Sequence, residues 1–202
     1  IPFEGMASLW VKDSQDERDP TTKPAGAIVL RKAARFIGIA PGMPQDSSFD
    51  AAPMPQIIAE LVRAVARAYH ADEQRIYLTG FSYGGSCTWR IAEQTPLLWA
   101  AIIPLSGRPT DNPARTIETL KNVAIYLACG TNEWALPECR KMHDALEAGK
   151  HPNFKYHEIP GGTHWCYGTT YTDPKFWDWL FAQKRKTLAA MPPVTIPATI
   201  NH

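Results

Sequence analysis

The chain has 202 residues, 45% of them apolar and 20% charged, with a formal charge of +1. That suits one domain with a substantial core. With no basic run longer than Lys184-Arg185-Lys186 and no apolar run near the ~20 residues of a spanning helix, neither nucleic acid nor a membrane is expected as a partner.

In chain order, residues 11–24, VKDSQDERDPTTKP, are charged and proline-punctuated and predict a surface loop. RFIGIAP (35–41) is the first predicted strand. Ile57, Ile58, Leu61, Val62, Val65, Ala66 and Tyr69 then recur at helical spacing. RIYLTGF (75–81) predicts a strand that leads into a helix over CTWRIAEQ. AAIIPLS (100–106) and NVAIYLACG (122–130) follow as strands, and Met142, Ala145 and Leu146 mark a helix. KYHEIP (155–160) is the last predicted strand, and Phe176, Trp177, Leu180 and Phe181 mark the last helix. The first four strands are apolar on both alternating faces, which predicts a mostly parallel sheet flanked by helices, an α/β fold. One domain is expected over 1–190, with a Pro-rich tail over 191–202 whose three prolines exclude a helix.

The stretch GFSYG, residues 80–84, fits G-x-S-x-G between a predicted strand and a predicted helix. In a nucleophile elbow that pattern holds a serine on a tight turn with its hydroxyl above the sheet, and glycines at 80, 84 and 85 are expected to permit the close backbone approach. Ser82 is the candidate nucleophile. The backbone N–H of Tyr83, at the helix N-terminus, is the candidate oxyanion donor.

A serine hydroxyl needs a base, and the base a third group to orient it. In this arrangement the expected order along the chain is serine, acid, histidine. His164, in the glycine-rich loop IPGGTHWCYG after the last strand, is the favoured base. His143 falls in a predicted helix, His157 in a predicted strand, His151 before that strand and His202 at the terminus. Glu133, in CGTNEWALP after the strand 122–130, is the favoured acid, with Asp111 in GRPTDNP and Asp144 on the next helix as rivals.

RIYLTGFSYGGSCTWRIAEQTPLLWAAIIPLSG, CGTNEWALP and IPGGTHWCYG, with DPKFWDWLFAQKR beyond, resemble the esterase branch of the α/β-hydrolases. That branch includes feruloyl and acetyl-xylan esterases, polyhydroxyalkanoate-depolymerase-like proteins and prolyl-oligopeptidase-type hydrolases. The resemblance runs from about residue 35 to 187. It implies a three-layer α/β-hydrolase fold, here with N-terminal strands reduced or lying upstream of Ile1. Family members usually have Asp at the position of Glu133, and a His-Gly loop that completes the oxyanion hole. No His-Gly occurs in this sequence, and Glu4-Gly5 with Met6 as donor is its nearest counterpart.

These readings predict a serine esterase without metal or organic cofactor, acting on small or carbohydrate-linked esters. A peptidase of the same fold and a non-catalytic binding protein are the alternatives. Neutral His164 as base would make activity fall below about pH 6 to 7. Trp134 and Trp165, next to the acid and the base, are expected to line the substrate cleft, whereas Trp89, Trp99, Trp177 and Trp179 are expected to cover the sheet. Four cysteines without a CxxC pair leave two states open. Bridges Cys129–Cys139 and Cys87–Cys166 would go with a secreted or periplasmic protein, and four buried thiols with a cytoplasmic one.

Overall fold

The structure, a computed structural model, describes residues 36–41, 48–165 and 167–186. Met6, the predicted loop at 11–24, Cys166 and the tail at 191–202 lie outside the described residues.

The elements alternate. Helix α1 (Met54–Ala68) precedes β1 (Tyr77–Phe81), and α2 (Tyr83–Gln94) leads to β2 (Ala101–Leu105). Then come α3 (Pro113–Leu120), β3 (Ala124–Gly130), α4 (Leu136–Ala148) and β4 (Phe154–Ile159), with α5 (Tyr167–Thr172) and α6 (Pro174–Ala182) closing the series. The four strands form one parallel sheet in the spatial order β1-β2-β3-β4. Every helix-crossed pair of successive strands is therefore also a hydrogen-bonded pair.

Side chains that alternate along β3 explain the layers. Ile125, Leu127 and Cys129 enter one core with Trp89 and Ile91 of α2, Leu120 of α3 and Met142 and Leu146 of α4. Ala124, Tyr126 and Ala128 enter the other with Phe176, Trp177 and Leu180 of α6. A period of two with apolar residues at every position fills both faces, as the sequence pattern requires. Proline opens four of the helices: Pro55 in α1, Pro113 in α3, Pro137 in α4 and Pro174 in α6 stand in first turns, where no intrahelical N–H is needed. Asn112 and Asp173 cap α3 and α6 by accepting from the N–H groups of Arg115 and Lys175.

One expectation is corrected. Residues 36–41 form no strand: Phe36 stacks on Trp177 at a centroid distance of 5.4 Å, and the segment joins no ladder. Phe36 packs on α6 while Ile37 is largely exposed, and Gly38 and Pro41 both weaken a strand. On α1, Ile58, Ala59 and Ala66 are buried, but Ile57 and Leu61 are 49% and 38% exposed. They stand one helical turn apart on the helix.

Of the two cysteine states left open, the structure shows no Cys129–Cys139 bridge, and Cys166, the other partner considered for Cys87, lies outside the described residues. Cys129 is a buried thiol not joined to Cys139, and Cys87 is a buried thiol too. The Cys129 thiol takes part in a hydrogen bond with Cys139, the leading influence holding its proton affinity below the ordinary value against the effect of burial. Burial raises the proton affinity of the Cys87 thiol, with a hydrogen bond involving the Tyr83 side chain one turn earlier on α2 acting against it. Among the described residues, no helix is long and apolar enough to cross a membrane.

Candidate active site

Ser82 occupies the single-residue joint between β1 and α2 with φ 57° and ψ −117°. That is a region L-residues avoid, at a cost of roughly 1–3 kcal/mol, and it persists only where surroundings over-determine it. Here they do. The Ser82 N–H donates to the Leu105 carbonyl at 2.9 Å, and the Ser82 carbonyl accepts from the Ser86 N–H at 3.0 Å. A methyl group on Gly80 would lie 2.2 Å from the Gly84 carbonyl oxygen, and one on Gly85 would lie 2.5 Å from that of Leu105. Those two glycines let strand and helix backbones touch. Gly84 differs from expectation, because a methyl group there would meet open space.

The loop after β3 carries Glu133 and the loop after β4 carries His164, and backbone bonds tie the two loops together. The Thr131 N–H donates to the Ile159 carbonyl at 3.0 Å, and the Asn132 N–H to the Gly162 carbonyl at 2.9 Å. In return, the Gly161 N–H donates to Thr131 Oγ1 at 2.8 Å. With the loops so joined, Glu133 Oε2 accepts from His164 Nδ1–H at 2.8 Å. A carboxylate can only accept, so the ring proton belongs on Nδ1 and leaves Nε2 as an acceptor. Ser82 Oγ lies 2.8 Å from that Nε2 and is placed to donate to it. Glu133, His164 and Ser82 thus form one hydrogen-bonded line.

The Glu133 side chain is wholly buried, and that of His164 is 23% exposed. Oε1 of Glu133 accepts from the Gly130 N–H and from Ser106 Oγ–H, both at 2.7 Å. Ser106 was not singled out by the sequence, where it is only the last residue of an apolar strand pattern.

The rival residues are elsewhere. His143 stacks on Tyr156 with a centroid distance of 4.5 Å, and His157 meets Tyr126 edge-on. His151 is buried, with Nε2–H donating to the Leu120 carbonyl at 3.1 Å. Asp111 is exposed in the loop between β2 and α3, and Asp144 is an exposed partner of His143. His202 lies outside the described residues, as does Met6, the proposed second oxyanion donor.

Aromatic rings surround the imidazole of His164. The Trp134 ring is 5.5 Å from it and 58% exposed, and the Trp165 ring is 6.0 Å from it. Phe81 packs beneath at 4.9 Å from His164 and 5.6 Å from Trp165. Trp89, Trp99 and Trp177 are buried, and Trp179 packs on Tyr126. Tyr83 begins α2, where the first-turn N–H groups have no intrahelical acceptor and carry the positive end of the helix dipole. An anion forming above Ser82 would meet that end.

No family model matches the chain. It is 28% identical over 123 residues to a bifunctional acetylxylan esterase/xylanase from Neocallimastix patriciarum, a match that covers 56% of this chain and 18% of that protein. The crystal structure of a thermostable esterase aligns with a TM-score of 0.58 and 27% identity over 64% of this chain and 36% of that one. The chain has the α/β-hydrolase fold. Within that fold its similarities run to the esterase branch, and its described parallel sheet is a reduced version of the hydrolase sheet. An S-formylglutathione hydrolase from Staphylococcus aureus shares the same fold, with a TM-score of 0.51 and 16% identity over 62% of this chain and 59% of that one. This hydrolase-fold chain spans well under half the length of the two proteins it matches best in sequence identity among these.

Proposed function

We propose that the protein is a serine esterase that cleaves carboxylic esters through an acyl-enzyme, with Ser82 as nucleophile, His164 as base and Glu133 as acid. The observation that carries this reading is the unbroken line from Glu133 Oε2 through both ring nitrogens of His164 to Ser82 Oγ, with both contacts at 2.8 Å.

In the first half-reaction the Ser82 oxygen bonds to the ester carbon as its proton passes to His164 Nε2. The imidazolium so formed keeps Nδ1–H on the Glu133 carboxylate, which stabilises its charge in a buried setting. The carbonyl oxygen becomes an anion facing the Tyr83 N–H at the start of α2; one such donor is worth roughly 3 kcal/mol of barrier. When the carbon–oxygen bond to the alcohol breaks, His164 returns the proton to the leaving oxygen. In the second half-reaction water replaces the alcohol and the same transfers run again, releasing the acid and restoring Ser82.

The substrates are small or carbohydrate-linked esters, with Trp134 and Trp165 as walls for an acyl group or sugar ring. The supporting points are the partly exposed rings beside His164 and the acetylxylan esterase relative. The test is hydrolysis of acetyl, butyryl and feruloyl chromogenic esters together with fluorophosphonate labelling. Wild-type protein is expected to turn over at least one ester and to be labelled at Ser82, with Ser82→Ala losing both. Equal turnover by Ser82→Ala would end the serine-esterase reading.

A further inference from the structure

Ser106 immediately follows β2, in the left-handed region at φ 47°, and is wholly buried. Its N–H donates to the Ala128 carbonyl of β3 at 2.9 Å, while the preceding residue, Leu105, accepts the Ser82 N–H. The following residue is equally confined: a methyl group on Gly107 would lie 2.3 Å from the Gly85 carbonyl carbon in the first turn of α2. Ser106 is therefore fixed by backbone contacts to the nucleophile's own turn on one side and to β3 on the other. From that fixed point its hydroxyl reaches Glu133 Oε1 at 2.7 Å.

We propose that Ser106 is a positioning residue of the reaction, which acts through Glu133 to aim and retain the carboxylate that supports His164; the inference rests on the esterase reading above. Two oxygens of one buried carboxylate have separate tasks. Oε1 is held by Ser106 Oγ–H and the Gly130 N–H, and with it held, Oε2 is the oxygen presented to His164 Nδ1–H. The Gly130 donor is the last residue of β3, on the same strand and loop that carry Glu133. The Ser106 donor immediately follows β2 and is registered to Ser82 through Leu105. Of the two, only Ser106 relates the acid to the nucleophile across the sheet. Hydrogen bonds to a buried anion are stronger than those between neutral groups, and a carboxylate oxygen stripped of a donor in such a place is poorly compensated. Without the hydroxyl, Oε1 keeps only the Gly130 N–H, the carboxylate is held less firmly in line with the imidazole, and the charge formed on His164 during catalysis is less well matched. The backbone strain at φ 47° fits this role, since strained residues persist where the surroundings hold them.

The experiment compares Ser106→Ala and Ser106→Gly with wild type on the best ester of the chromogenic panel, in the native and the Glu133→Ala backgrounds. Gly accepts a positive φ without strain, so it removes the hydroxyl and relieves the backbone at once. Both variants are expected to keep a cooperative thermal transition and a KM within about twofold of wild type, with kcat lowered about 10- to 100-fold. In the Glu133→Ala background, where the carboxylate is gone, neither substitution is expected to lower kcat further. Ser106→Cys, close in shape but a weak donor, is expected to fall between wild type and Ser106→Ala. Wild-type kcat in Ser106→Gly overturns the inference, as does the same fractional loss in both backgrounds, which would mark a structural role. Failure of the esterase reading is distinct: wild-type protein would then hydrolyse no ester and escape fluorophosphonate labelling.

Discussion

Gly130, which ends β3 just before the loop of Glu133, and Gly162, in the loop that carries His164, approach so closely that a methyl group on Gly130 would lie 2.1 Å from the Gly162 carbonyl oxygen. Glu133 and His164, the proposed acid and base, are therefore held by segments in direct backbone contact rather than by two independent loops. Gly130→Ala is expected to push the loops apart, lengthen the Glu133–His164 contact and lower kcat at least tenfold. Overpacking of this kind also costs about 1–3 kcal/mol of stability. Steady-state kinetics beside thermal unfolding checks both effects, and an active, equally stable variant would show that the loops adjust.

The elbow makes a sharper comparison between two glycines of the same motif. Gly80→Ala would drive a methyl group into the Gly84 backbone, whereas Gly84→Ala adds one to open space. Gly80→Ala is expected to misfold or lose its activity, and Gly84→Ala to fold with unchanged or slightly higher melting temperature. Expression, melting temperature and fluorophosphonate labelling of the pair decide it. A tolerant Gly80 would mean that the strand and helix need not touch.

Replacing the acid separates Glu133 from its sequence rival. Glu133→Gln keeps the shape but offers an amide that no longer stabilises an imidazolium or fixes its tautomer; a corresponding change in a serine protease triad lowers kcat by about 10⁴. A loss on the order of 10² to 10⁴ is expected here, against less than about threefold for Asp111→Asn, whose side chain is exposed in another loop. The reverse ranking in kcat would move the acid to Asp111.

His151 predicts an acid-sensitive fold. Burial is the main cause holding its proton affinity below the ordinary value of 6.5, with nearby Lys186 acting in the same sense. In the unfolded chain the imidazole would protonate as pH falls through 6.5, while the folded site resists, so protons favour unfolding in that window. Stability is thus expected to be full above that pH and to decline below it, levelling once the folded group also titrates. His151→Gln, which retains a donor for the Leu120 carbonyl, should flatten the decline in denaturant midpoint between pH 7 and pH 5. An unchanged slope would assign the acid sensitivity to other groups.

The parts of this fold and site legible in the sequence are those encoded locally. The two-sided apolar strands showed themselves because a buried parallel strand needs apolar residues at every position, as β3 has. The positions of Ser82, Glu133 and His164 at strand ends followed from turn chemistry and chain order. Ser106 was hidden because its relationship is across the sheet: nothing in AAIIPLS marks the last residue as facing a carboxylate 27 positions away. Residues 35–41 misled for the opposite reason, since an apolar run records that it packs on something without saying whether the partner is a strand or, for Phe36, the rings of α6. Gly84 shows that a motif position and a steric requirement are different things.

The order of the sheet has a consequence for how the protein comes into being. Because β1, β2, β3 and β4 are adjacent in both sequence and space, Ser82, Ser106, Glu133 and His164 follow one another across the sheet in chain order. A chain whose last strand has not docked lacks the His164 contact to Ser82 Oγ, so on the serine-esterase proposal it would be without its base until the sheet is complete.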